Sequence, residues 1–231
     1  RSLNDLRMLW TRSSHDHSYI AAGTPWYATL FGRDSIITAL QTLPFRPELA
    51  RQCLALLARH QGQSVDAVTG EEPMVGELPY RRYYGSVDAT LLFLILAAEY
   101  VHWTGALETL GSLMNSINAA LAWVRDYGDL DGDGLIEYRT DSGSGLRNQG
   151  WKDSIEAIMH TDGTLCDGPI ALAEVQSYLY LAYQRLAPIF EHIGESKRAQ
   201  ELRTEAEALR SRFEAAFWLP REQCVAMALD G

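Results

Sequence analysis

Lysine is almost absent from this sequence: of 20 basic side chains only Lys152 and Lys197 are lysines, and the rest are arginines. Basic charge as a whole is short, because 30 acidic residues leave a formal net charge of −10. Binding phosphates needs a basic surface, so this balance speaks against a nucleic-acid partner. No apolar run approaches the roughly 20 residues that span a bilayer, and the opening residues do not read as a secretory leader. A cytoplasmic chain with no membrane partner is expected. The three cysteines (Cys53, Cys166, Cys224) are odd in number, far apart and not in a metal-ligand spacing. They read as ordinary side chains of a reducing compartment. The six histidines, His15 and His17 among them, are scattered without a metal pattern. A Ser/His/Asp set and a glycine-rich phosphate loop are also lacking.

What the chain has is apolar and aromatic residues. Of its 231 residues, 47% are hydrophobic and 10% aromatic, enough for a continuous core and too many for an unfolded chain. Their periodicity is helical nearly throughout. Helices are expected over 34–43, 48–60, 87–103, 106–126, 169–192 and 196–217. The first, third and fifth are apolar over most of their surface. The second, fourth and sixth carry one apolar stripe: Leu49, Cys53, Leu56, Leu57 and His60 in the second, and Leu107, Leu110, Met114, Ile117, Leu121 and Val124 in the fourth. An all-round apolar helix must be covered on several sides, whereas a striped one can face water. Three hairpins follow, each an inner helix and then an outer one, with Gly105 and Gly194 as helix stops.

Connections into the second and third inner helices are long, about 61–86 and 127–168, and rich in Trp, Tyr, Pro and paired charges. Long loops of that composition point to function. Three clusters stand in the segments leading into inner helices, taken as 21–35, 61–88 and 127–168. The first runs Gly23-Thr24-Pro25-Trp26-Tyr27 to Phe31-Gly32-Arg33-Asp34-Ser35, where a plain Asp or Ser N-cap with an ion pair is the alternative to a site. The second, Gly76-Glu77 to Tyr83-Tyr84-Gly85-Ser86-Val87-Asp88, interleaves tyrosines and arginines, and its alternative is a solvated charged loop. The third is Arg147-Asn148-Gln149-Gly150-Trp151-Lys152-Asp153-Ser154, in which a capping Asp is the competing reading.

Together these put aromatics, carboxylates, arginines and an amide on one expected face, which is the inventory of a sugar site. Aromatic faces pack on pyranose C–H faces, while Asp, Arg and Gln hold hydroxyls. Glycosidic cleavage needs two carboxyl groups, one protonated and one ionised. Asp153 is the choice for the acid. Packing against Trp151 would favour its protonated form by desolvation, and a nearby Lys152 would oppose that.

The strings Ala22-Gly23-Thr24-Pro25-Trp26 through Phe31-Gly32-Arg33-Asp34-Ser35, Arg82-Tyr83-Tyr84-Gly85-Ser86-Val87-Asp88-Ala89-Thr90, Gln149-Gly150-Trp151-Lys152-Asp153-Ser154 and Gly168-Pro169-Ile170-Ala171-Leu172-Ala173-Glu174-Val175-Gln176 resemble the bacterial glycogen-debranching-enzyme-like family of the amylo-α-1,6-glucosidase type. The resemblance runs from about residue 3 to the end. It implies an all-α (α/α)6 toroid and inverting hydrolysis of α-glucosidic bonds in glycogen-like or related α-glucans. It also implies that the Trp-Lys-Asp segment supplies the general acid, Asp153, and that Arg33 and Asp34 bind sugar. With them, Trp26, Glu77, Tyr84, Asp88, Trp151, Lys152 and Glu174 are expected to line the substrate site, and no organic cofactor is implied.

Such a toroid has twelve helices, and six are read here. Residues 1–231 are therefore read as about half of the catalytic domain, a piece of something longer whose C-terminal half would be its partner. The general base is expected in that half, so the chain alone is expected to have no glycosidase turnover. Two rivals are a glycoside phosphorylase or hydrolase of another α-linked sugar on the same fold, and a non-catalytic helical module that binds carbohydrate or protein. No repeated sequence links the hairpins, which counts against the module. Separately, Asp129, Asp131, Asp133 and Glu137 in Asp129-Leu130-Asp131-Gly132-Asp133-Gly134-Leu135-Ile136-Glu137 resemble the start of a calcium loop. Thr140 stands where such a loop has its bidentate Glu, so a structural calcium and a tight Asp/Gly turn both remain open.

Overall fold

The structure, a computed structural model, describes residues 2–14, 17–62, 86–139 and 146–231. It is mostly helical, with seven helices among the described residues. The chain divides into two units, residues 1–61 with 92–118, and residues 62–91 with 119–231.

The first unit begins with helix α1 (Ser2–Leu9) and a hairpin of β1 (Trp10–Ser14) and β2 (His17–Ile20), none of which the periodicity predicts. The strand period is visible in β2 only after the fact, since Ser18 and Ile20 are buried while His17 and Tyr19 are not. The hairpin packs on α2 (Gly32–Thr42) and α3 (Pro47–Arg59). Two side chains stitch it down: Ser35 Oγ donates to Ile20 O (2.7 Å), and Ser18 N donates to Gln52 Oε1 (3.2 Å). Proline at the first position of α3 costs no hydrogen bond, because that N–H has no partner within the helix.

Helix α4 (Ala89–Thr104) is buried over every residue from Leu91 to Ala98, as its all-round apolar sequence predicts. It stops at Gly105, whose φ of +71° suits a residue without Cβ, and Gly105 N bonds Val101 O at 2.8 Å. Helix α5 (Leu107–Tyr127) is striped as expected, but the stripe is displaced. Its buried residues are Leu110, Leu113, Ile117, Ala120 and Val124, whereas Leu107 is exposed and Met114 and Leu121 are half-buried. Steps alternating three and four residues define that seam, and small Ala120 completes it. In α3 the same correction puts Leu54 inside instead of Leu57.

In the second unit, α6 (Ala173–His192) and α7 (Ser196–Phe217) pack together as a helical hairpin. Helix α6 buries residues around much of its circumference, from Val175 to Phe190, while α7 buries only Ala199, Leu202, Ala206, Leu209 and Phe217. The water-facing side of α7 is tied by ion pairs such as Arg203–Glu191 (3.0 Å) and Arg210–Glu214 (2.9 Å). The expected helix over 169–192 starts late. Residues Ile170–Leu172 are strand β4, the middle of a three-stranded antiparallel sheet with β3 (Glu137–Tyr138) and β7 (Ala228–Asp230). Between α7 and β7, β5 (Trp218–Leu219) and β6 (Cys224–Val225) form a short hairpin.

Gln176, fully buried in the first turns of α6, clasps this sheet. Its Oε1 accepts Ile136 N (2.9 Å), and its Nε2 donates to Ile136 O (2.7 Å) and Leu172 O (3.2 Å). Replacing it by leucine strands a buried N–H and a carbonyl at about 1–3 kcal/mol each. We expect Gln176→Leu to lower stability by roughly 2–6 kcal/mol, read as a fall in urea midpoint with an unchanged slope.

Candidate functional site

In the first unit, Trp26 is 87% exposed on the loop between β2 and α2, beside exposed Tyr27. The loop is held by Gly23 N bonding Tyr27 O (2.9 Å) and Ala22 N bonding Thr29 O (3.2 Å). The capping alternative for Asp34 and Ser35 is overturned. Phe31 is the cap residue and makes no side-chain cap bond, while Ser35 already donates to Ile20 O. Asp34 lies in the first turn of α2, half-buried, where the positive end of the helix dipole favours a carboxylate. The Arg33 guanidinium stands over the Phe31 ring, 5.3 Å from its centroid.

The second unit gathers most of the remaining site residues. Val87 N donates to Gln149 O (3.1 Å), which fixes the turn carrying Asp88 against the Gly150-Trp151 segment. Asp88 is 1% exposed and accepts the Ser86 hydroxyl. Glu174 stands half-buried in the first turn of α6, placed there by β4. A Cβ on Gly150 would come 3.6 Å from Glu174 Oε1 and 2.4 Å from Leu172 Cδ1. Thus Asp88, Gly150 and Glu174 share one neighbourhood, and Trp151-Lys152-Asp153 projects from it.

Asn148 anchors the base of that projection. It is buried; its Oδ1 accepts the Tyr138 hydroxyl (3.0 Å), and its Nδ2 donates to Ser154 O (2.6 Å) and Ile155 O (3.3 Å). Burial, reinforced by the charge of Glu174, pushes the Tyr138 phenol far above its ordinary value, so it stays a neutral donor. The expectation that Trp151 desolvates Asp153 is not met. Trp151 is 57% exposed and Asp153 is exposed. The indole instead carries Lys152, whose Nζ lies 5.2 Å from the ring centroid and 3.0 Å from Met227 Sδ.

Glu77 and Tyr84 lie outside the described residues, as does Thr140. The acidic loop is described up to that point, and each of its carboxylates accepts a backbone N–H. Asp129 takes Gly132 N and Gly134 N, Asp131 takes Asp133 N, Asp133 takes Leu135 N, and Glu137 takes Leu130 N. Asp/Gly turn chemistry therefore shapes the loop. Oxygens of Asp129, Asp131 and Glu137 also lie within 4.8 Å of one another, a donor set that suits a hard cation, and Asp133 is not in that group. Burial first, then the neighbouring aspartates, raises the Glu137 carboxyl above its usual range, against the Leu130 N–H.

A family model described as amylo-α-1,6-glucosidase matches residues 3–230. The chain belongs to the amylo-α-1,6-glucosidase family. Membership implies a glycosidase-like enzyme related to amylo-α-1,6-glucosidase. No curated protein matches the sequence. Within this amylo-α-1,6-glucosidase relative, sequence reasoning assigned no role to Asn148, Gln176 or Gly150 individually. Nothing in the sequence singles them out, because their burial and their bonds across the fold appear only in the structure.

Gly150 makes the close approach of that segment to β4 testable. A methyl group there must displace the buried Leu172 side chain, an overpacking cost of about 1–3 kcal/mol. Gly150→Ala should lower the thermal midpoint by several degrees, and Gly163→Ala, with open space around its Cβ but φ of +87°, should cost only the backbone strain of about 1 kcal/mol.

Proposed function

We propose that this chain carries the acid half of an inverting α-glucosidase acting on glycogen-like or related α-glucans, with Asp153 as general acid. The observation that supports this best is the placement of Asp153: an exposed residue two positions after the exposed Trp151, on a segment pinned by Asn148. Trp151 offers a stacking face for a pyranose ring, and a sugar seated there would cover the carboxyl that protein leaves open. Asp153 then protonates the departing glycosidic oxygen as the C–O bond breaks. Lys152 and Glu174 hold hydroxyls of that sugar.

In this reading the framework is an (α/α)6 toroid, and a segment outside these 231 residues supplies the general base. That carboxylate activates water on the opposite face of the ring, which inverts the anomeric configuration. The test is Asp153→Asn in the longer enzyme that includes this chain. Removing a general acid should lower kcat by about 10²–10⁴-fold on an unactivated α-glucan while KM moves little. Retained turnover would overturn the assignment, and product that forms only with inorganic phosphate would reassign the chemistry to phosphorolysis.

Separately, we propose a structural calcium in the loop of Asp129, Asp131 and Glu137, whose carboxylate oxygens lie within 4.8 Å of one another and suit a hard cation. Calcium at about a hundred times its Kd should add about 2.7 kcal/mol of stability, visible as a higher thermal midpoint that Asp129→Asn abolishes. An unchanged midpoint assigns the loop to its own hydrogen bonds.

A further inference from the structure

A second cluster of donor atoms shares no residue with the sugar-site candidates or with the acidic loop. His160, Cys166 and Asp230 bring an imidazole nitrogen, a thiol sulfur and a carboxylate oxygen within 4.8 Å of one another. Asp230 Oδ2 already holds His160 Nε2 at 2.9 Å. Cys166 is 8% exposed, while the other two side chains are open enough to give a route from solvent.

The three residues are positioned by backbone structure. His160 and Cys166 flank a tight hairpin in which Met159 bridges Leu165, His160 N bonds Thr164 O (2.8 Å), and Gly163 N bonds His160 O (3.0 Å). Gly163, at φ +87°, makes that reversal, and Asp162 Oδ1 accepts both the N–H and the hydroxyl of Thr164. Arg147 Nη2 ties Cys166 O at 2.8 Å. Asp230 arrives from the other direction, in register with Ile170 across the β4–β7 pair.

We propose that His160, Cys166 and Asp230 form a binding site for a zinc-class divalent cation, which pins the hairpin around Gly163 to strand β7. The donor set decides the class: sulfur with imidazole and one carboxylate suits zinc, whereas calcium and magnesium take oxygen alone. Donors sharing a tetrahedral zinc stand about 3.5 Å apart, so small side-chain rotations complete the site and leave a fourth position for water. Binding forms a sulfur–metal bond and releases the thiol proton to solvent.

Titration of the metal-free chain with Co²⁺ provides the test, because only a cobalt–thiolate bond produces a strong near-ultraviolet charge-transfer band. The expected result is a band that saturates at one equivalent and disappears on adding Zn²⁺. Cys166→Ser should abolish it, His160→Gln and Asp230→Asn should weaken zinc binding at least about tenfold, and Cys224→Ser should leave both signals intact. Absence of the band in the unaltered chain overturns the proposal, whatever the variants do. Survival of the band in Cys166→Ser overturns it too.

Discussion

Strand β4 must satisfy hydrogen bonds on both of its edges before α6 can begin, and most of the second unit follows from that requirement. Its three residues are buried, so unpaired backbone groups there would each cost as much as a lost hydrogen bond. One edge is closed by β3, the other by β7, and the last carbonyl, Leu172 O, goes to Gln176. Because β4 runs directly into α6, this pairing also fixes where Glu174 stands. Because Leu172 fills the space beside Gly150, it fixes how closely the Trp151 segment approaches. The sheet is small, but sequence segments from four parts of the chain converge on it.

The shortage of lysine acquires a meaning in this setting. Several arginines serve as ties to backbone carbonyls or across helices. Arg147 reaches Cys166 O, Arg212 reaches Gly134 O at 3.0 Å, and Arg203 spans to Glu191. A guanidinium offers a fixed fork of donors and keeps its charge when partly buried, which suits loops that need several carbonyls satisfied at once. Lys152, one of the two exceptions, is used differently: its flexible stem lets the ammonium fold back over Trp151.

Helical hairpins were legible in the sequence because burial on one face imposes a period of 3.6, and the stops at Gly105 and Gly194 need a left-handed φ that glycine accepts. The strands were not. Ile170-Ala171-Leu172 is an apolar triplet next to a helix, and only its partners, distant in sequence, make it a strand. Which face of α5 is buried also escaped, since large residues outweighed Ala120 in the reading. For the site, the Trp-Lys-Asp segment stood out by composition, whereas Asn148 and Gln176 did not. A buried amide has no periodicity, and its value lies in bonds made across the fold. The donors His160, Cys166 and Asp230 were hidden for the same reason: Asp230 lies far from the other two in sequence and joins them only through the β4–β7 register.

Strand β7 finally explains how an exposed catalytic candidate can still be well placed. Just before it, Met227 O accepts Ala173 N (3.1 Å) and its sulfur meets Lys152, so the strand touches the segment that carries Asp153. At its other end Asp230 holds His160, on the hairpin that follows that segment. Asn148 grips the same stretch from beneath through Ser154 O and Ile155 O. The backbone around Asp153 is thus restrained before, within and after the turn, while the carboxyl itself is left open. A general acid needs that combination. Its position must be fixed in advance, because a displacement of about 1 Å can cost 10²-fold in rate, but its surroundings can be completed by the substrate. In the proposed site, an exposed Trp151 and a restrained Asp153 would leave the last wall to the sugar.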